Sequence, residues 1–180
     1  MRLFIGLYPH ENVRREIAQM TQPLQQLGQL SLVPAANLHI TLAFLGEVAD
    51  HRLGAIQQAL HQVRHPGPLD LCWASSLGVF PGWQRPRTVW LGLGQGEAAV
   101  RALHSDLWGR LSPLGFTPDN RFHPHLTLAR VKRPLAAADI RLLQELTLTP
   151  TEECIAQITL FQSQLRPTGA VYRILEQHQL

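Results

Sequence analysis

The sequence predicts an α+β fold of two pseudo-symmetric lobes, each a mainly antiparallel sheet with outer helices, around a central cleft. Three observations carry this expectation. First, a motif occurs twice: Asn37-Leu38-His39-Ile40-Thr41-Leu42-Ala43-Phe44-Leu45 and His123-Pro124-His125-Leu126-Thr127-Leu128-Ala129-Arg130 share His-[Ile/Leu]-Thr-Leu-Ala, and their histidines stand 86 positions apart in 180 residues. Second, the element order around each copy repeats as strand, helix, motif strand, helix, strand. Third, no linker or low-complexity segment divides the halves, so residues 1–180 read as a single two-lobed domain long enough to bury a core.

Residues 3–8, Leu-Phe-Ile-Gly-Leu-Tyr, read as a first strand, stopped by Pro9. Val13, Ile17, Met20, Leu24 and Leu27 recur at helical spacing and predict a helix over 11–27, with Pro23 placed to kink or shorten it. The first motif strand follows over 37–45. Asp50 suits the N-cap of a second helix over 50–64, which turns Leu53, Ile56, Leu60 and Val63 to one face. Strands are expected at 69–79 and 87–93, around a turn-rich loop from Phe80 to Pro86. A third helix spans 96–112, burying Val100, Leu103, Leu107 and Leu111. A loop from Gly115 to Phe122 leads to the second motif strand, 124–131. A short helix over 136–146 and closing strands over 153–165 and 170–177, joined by Pro167-Thr168-Gly169, complete the chain.

Composition excludes several classes. No apolar run reaches the roughly 20 residues of a membrane helix, and the start of the chain, Met1 to Leu7, is too short for a signal peptide. Cys72 and Cys154 stand alone, which points to a reducing, cytoplasmic setting. A formal charge of +3, almost all of it arginine, favours an anionic partner weakly.

On a strand, residues i and i+2 share a face. His39 and Thr41 therefore point one way and Leu38, Ile40 and Leu42 the other; His125 and Thr127 oppose Leu126 and Leu128 in the same manner. A polar pair over an apolar back, found twice, describes two half-sites facing each other. Imidazole titrates near neutrality, so one histidine can take a proton from a nucleophile while the other protonates a leaving oxygen. Thr41 and Thr127 supply hydroxyls for the nonbridging oxygens of a phosphoryl group. In-line displacement at phosphorus needs groups on opposite sides, and no carboxylate accompanies either motif. These four residues together point to metal-free phosphodiester chemistry with no cofactor.

The paired His-x-Thr-x motifs at this separation resemble the two-histidine phosphoesterase superfamily, and their flanks resemble the RNA 2′,3′-cyclic phosphodiesterases, also called 2′-5′ RNA ligases. The similarity extends to Met1–Ile5, Arg87–Gly92 and Ser163–Tyr172, and so covers the whole chain. It implies hydrolysis of a 2′,3′-cyclic phosphate at an RNA end to a 2′-phosphate and, in some members, ATP-independent 2′-5′ joining with a 5′-hydroxyl in place of water. It also implies an RNA partner with such an end, tRNA fragments included, and no membrane; a monomer is expected. A 2′-phosphate product means that O3′ leaves, which makes His39 the proton donor and His125 the proton acceptor, an order the residues themselves leave open. Arg130 matches the family arginine after the second motif and is expected on the phosphate. It stands at i+5 from His125, however, where a regular strand would turn it away; a bulge or the strand end must bring it round.

Other residues have plainer readings. His123 with His125 has metal-ligand spacing, but no third ligand accompanies the pair and the first motif has no counterpart; His123 reads as a residue at the start of the strand. Phe80 and Trp83 suit base stacking or core cover equally, and Arg85 and Arg87 suit RNA phosphates or a solvated rim. His10, His51, His61, His65, His104 and His178 read as solvated surface, and Trp90, Trp108 and Phe44 as core. The alternatives to an RNA-end enzyme are a phosphodiesterase for a small cyclic nucleotide or ADP-ribose 1″,2″-cyclic phosphate, and a non-catalytic RNA- or nucleotide-binding module.

Overall fold

The computed structural model of the protein describes residues 1–118, 121–167 and 169–180. The expected loop from Gly115 to Phe122 and the turn at Thr168 thus lie partly outside the described residues. The elements are β1 (Arg2–Leu7), α1 (Glu11–Met20), β2 (Leu30–Leu32), β3 (Ile40–Glu47), α2 (Leu53–His61), β4 (Leu69–Phe80), β5 (Thr88–Gln95), α3 (Glu97–Leu111), β6 (Leu126–Val131), α4 (Ala137–Glu145), β7 (Glu152–Ile155), β8 (Gln157–Arg166) and β9 (Gly169–Gln179). Among the described residues the strands form one curled antiparallel sheet in the order β7-β4-β5-β6-β3-β1-β8-β9, with β2 alongside β6. No helix among them is long and apolar enough to cross a membrane.

The two lobes meet where β3 and β6 touch, at one pair, Ile40 with Leu126. Beyond it the strands part, and β2 takes up the freed edge of β6, pairing Leu30 with Val131 and Leu32 with Ala129. Ile40, Leu42, Leu126 and Leu128 are buried in one apolar cluster with Ile56 and Leu60 of α2 and Val100, Leu103 and Leu107 of α3. The apolar i, i+2 set of each motif thus supplies the back of the sheet, as the alternation predicts.

The duplication is present with an exchange. β1-α1-β3-α2-β4 repeats as β5-α3-β6-α4-β8, but each third strand crosses to the other lobe: β4 pairs with β5, and β8 with β1. The run expected as one strand over 153–165 is accordingly two. β7 pairs with β4 while β8 pairs with β1, and the chain passes between lobes at Ala156. Ile155 and Ile158 are both buried, a spacing of three that one regular strand cannot give.

Smaller departures have local causes. The helix expected over 11–27 ends at Met20, and Pro23 sits in a separate 3-10 turn, Gln22–Gln26, because its ring cannot be accommodated in a continuing helix. Asp50 is not an N-cap; it opens a 3-10 turn, Asp50–Arg52, and α2 starts at Leu53 without a side-chain cap. β2 was too short to show in the sequence. Phe44 is not core: it is 48% exposed.

Candidate active site

The pairing of Ile40 with Leu126 places the four motif residues. Continued one step in antiparallel register, it sets His39 against Thr127 and Thr41 against His125, all on the face away from the core. All four line one cleft of about 280 Å³. Each imidazole is fixed in the same way. His39 Nδ1 lies 2.7 Å from the carbonyl of Asn37, and His125 Nδ1 lies 2.6 Å from that of His123. A carbonyl only accepts, so both Nδ1 atoms carry the proton and both Nε2 atoms are left for chemistry. The Thr41 hydroxyl lies 3.0 Å from His39 Nε2, to which it donates when the ring is neutral.

Aromatic rings hold the imidazoles from behind. Phe4 lies 4.7 Å from the His39 ring, and Tyr172 meets it edge-on at 5.2 Å. Phe80 meets His125 edge-on at 5.1 Å and lies 5.0 Å from Trp90. Burial lowers the His39 pKa to about 4, against the raising effect of the Asn37 carbonyl, and the charge of His125 lowers it further. Burial likewise lowers that of His125; the His123 carbonyl works against this, while His123 and Arg130 add to it. At pH 7 both rings are therefore neutral in the protein on its own, rather than one neutral and one protonated as the unperturbed pKa suggests. An anion held beside either ring would favour that ring's charged form.

Arg130 reaches the cleft through a bulge. Trp90 pairs with Thr127 and Val89 with Ala129, leaving Leu128 as an extra residue on β6. Leu128 and Ala129 are both buried in consequence, and Arg130 comes round to the side of His125. Its Nη1 donates to Thr88 Oγ1 at 2.8 Å. β3 has the equivalent bulge: Gly6 pairs with Thr41 and Ile5 with Ala43, leaving Leu42 extra. That is why Phe44, at i+5 from His39, stands in the cleft where the second motif has Arg130.

Several cleft residues escape a reading of the motifs. Arg2 and Tyr172 line it, and Arg2 lies over Phe44 at 5.0 Å. Burial raises the Tyr172 pKa, with Arg130 and Arg2 pulling against it. The signal for Arg2 was present, since it alternates with Leu3, Ile5 and Leu7 on β1. Tyr172 has no local signal; it arrives through the exchange of β8 and β9 into the first lobe. Asn37 Nδ2 donates to the carbonyl of Ala170 at 2.8 Å and so ties the first motif to β9. Beneath it, the buried guanidinium of Arg14 donates to the carbonyls of Pro9 (2.9 Å) and Ala35 (3.3 Å) and holds the 3-10 turn Ala35–Asn37.

The remaining expectations divide. Trp108 is buried, as read, but Trp90 is only partly so and stands beside His123 and His125 rather than in the core. Trp83 packs against the core, and Arg85 and Arg87 are exposed. His104 is not solvated surface; its ring stacks on Phe122 at 3.8 Å. Among the described residues no three His, Cys, Asp or Glu side chains converge as metal ligands would.

A profile of the 2'-5' RNA ligase superfamily matches residues 9–164. The chain belongs to that superfamily. It is 33% identical to the RNA 2',3'-cyclic phosphodiesterase of Archaeoglobus fulgidus over 97% of this chain and 98% of that one. Against the protein of the same name from Thermotoga maritima it is 29% identical, covering 97% and 93% of the two chains. Among solved structures, Escherichia coli LigT complexed with 3'-AMP superposes with a TM-score of 0.80 at 28% identity, covering 99% and 97%. The superfamily match takes in both histidine motifs and Arg130 and ends before Tyr172.

Proposed function

We propose that the cleft opens RNA 2′,3′-cyclic phosphates to 2′-phosphates by metal-independent acid–base catalysis between His39 and His125. One observation carries the reading: two imidazoles with Nδ1 committed to backbone carbonyls, so that two Nε2 atoms serve one cleft together with two threonine hydroxyls and Arg130. Names of relatives at 29–36% identity over most of the chain support the choice of an RNA 2',3'-cyclic phosphate as substrate.

His125 Nε2, as a neutral base, takes a proton from water as the water oxygen bonds to phosphorus. His39, protonated in the complex, gives its Nε2 proton to O3′ as the P–O3′ bond breaks. The phosphate stays on O2′. Thr41, Thr127 and Arg130 hold the nonbridging oxygens, where charge shifts in the transition state. The two free thiols, Cys72 and Cys154, fit a cytoplasmic setting.

The test is turnover of a short RNA ending in a 2′,3′-cyclic phosphate with EDTA present, resolving 2′- from 3′-phosphate products. A 2′-phosphate formed in EDTA is expected. A 3′-phosphate would reverse the leaving group and the roles of the histidines. Activity that returns only with added metal would overturn the metal-free mechanism. Turnover of a mononucleotide but not of an oligonucleotide would move the substrate to a small cyclic nucleotide.

A further inference from the structure

The segments that fix the two imidazoles are themselves held, and the two halves hold them alike. In the β1-α1-β3 unit, Arg14 of α1 donates through Nη1 to the carbonyl of Ala35, 21 positions on. In the β5-α3-β6 unit, Arg101 of α3 donates through Nη1 to the carbonyl of Phe122 at 2.8 Å, again 21 positions on. Each of these carbonyls stands one or two residues ahead of the one that takes a histidine Nδ1 proton, Asn37 for His39 and His123 for His125. The two grips differ in depth. Arg101 is half exposed and pairs with Glu97 at 2.6 Å. Arg14 is only 8% exposed, and every acceptor it meets among the described residues is neutral: the carbonyls of Pro9 and Ala35 and the hydroxyl of Tyr8. Its guanidinium carbon lies 3.8 Å from the centre of the Tyr8 ring, and that hydroxyl donates to the carbonyl of Ala36 at 2.8 Å. Ala35, Ala36 and Asn37 thus present three successive carbonyls, taken by Arg14, Tyr8 and His39.

We propose that Arg14 and Arg101 are positioning residues, each holding the backbone that fixes the tautomer and orientation of the motif histidine in its own half. The inference rests on the acid–base roles proposed for His39 and His125. A buried cation with no carboxylate partner is costly, and an apolar side chain of similar size would cost the fold less. Stability therefore does not account for Arg14; what it orders does. Ala35–Asn37 is a single 3-10 turn. Its backbone bonds, Asn37 N–H to the Pro34 carbonyl and Leu38 N–H to that of Ala35, leave the carbonyls of Ala36 and Asn37 to outside partners. Once the turn is loosened, the Asn37 carbonyl no longer meets His39 Nδ1 squarely, and the neutral ring places its proton on Nε2 part of the time. A ring in the wrong tautomer or turned from its line cannot exchange a proton with substrate, although the rest of the cleft still binds it. Turnover then falls while KM stays. The grip of Arg101, shared with Glu97 and open to solvent, is the shallower of the two.

The experiment makes Arg14→Met and Arg101→Met in the full-length protein and reads each in two ways. Ring ¹⁵N chemical shifts at pH 7 report the tautomer of every histidine, and steady-state hydrolysis of an RNA ending in a 2′,3′-cyclic phosphate separates kcat from KM. In the native protein both motif histidines should carry their proton on Nδ1. Arg14→Met should bring His39 into a mixture of tautomers, leave His125 as it was, and lower kcat about tenfold or more with KM within about twofold. Arg101→Met should do the converse, disturbing His125 and sparing His39, with a smaller loss of kcat. Arg14→Lys, which keeps the charge but not the fork of donors, should fall between Arg14→Met and the native protein. Unchanged tautomers in both Met variants, or both histidines disturbed equally by either one, as general loosening would give, would overturn the proposal. Arg101 is exposed enough for its variant to keep the fold, so the response of His125 decides the matter should Arg14→Met fail to fold. Absence of turnover in the native protein would remove the proposed function, while the ring shifts would still decide whether the arginines position the histidines.

Discussion

Each motif histidine spends its Nδ1 proton on a carbonyl two residues back, and this decides which atom can do chemistry. His39→Ala or His125→Ala should therefore lower kcat by about 10²–10⁴-fold, the usual reach of general acid–base catalysis, with KM for the cyclic phosphate little changed. Steady-state turnover of each variant checks this. The lowered pKa values make a second prediction. kcat/KM reports the free protein, where burial disfavours the imidazolium, whereas kcat reports the complex, where the phosphate anion favours it. The alkaline limb of kcat should thus lie at higher pH than that of kcat/KM; coincident limbs would mean that substrate does not charge the acid. With Arg130 on the phosphate, as proposed, Arg130→Met should raise KM about tenfold or more, as loss of a charged hydrogen bond does; an unchanged KM in steady-state assays would remove Arg130 from substrate binding.

At the scale of elements, the deciding features are the paired bulges on β3 and β6. An extra residue in each strand resets the alternation, and this brings Phe44 and Arg130 onto the histidine face. Trp90, from the neighbouring β5, lies against Gly78 of β4, where an added Cβ would come within 2.2 Å of the indole. Gly78→Ala should therefore cost about 1–3 kcal/mol of stability, the usual range for overpacking, and should disturb His125 through Trp90 and Phe80. Urea denaturation followed by an activity assay separates the two effects. A variant as stable as the native protein would show that the β4–β5 pair yields more readily than its geometry implies.

For the molecule as a whole, placing His39 in a buried cleft ties folding to pH. Between its ordinary value of 6.5 and its folded value of about 4, the unfolded chain binds a proton that the folded chain does not. Stability therefore falls as pH drops through that window, by at most about 3 kcal/mol for this one ring. His39→Gln should lose less stability than the native protein between pH 7 and pH 4. Denaturation curves at the two pH values measure it, and equal losses would place the acid sensitivity elsewhere.

The repeated His-x-Thr with its apolar partners determined, from sequence alone, two strands, the face each histidine takes and the existence of a cleft, because a period of two is a local property of the chain. Helix positions were legible for the same reason, their apolar faces recurring at a period of 3.6. What the chain could not show locally is which strand lies beside which. The exchange of β4 and β8 between lobes, and with it the arrival of Tyr172 beside His39, depends on pairing between residues far apart in sequence. The bulges were needed by Arg130 yet invisible, since an extra residue is extra only against a partner strand. The charge state of the histidines likewise had to wait for the fold, because burial by distant residues, and not the motif, sets it.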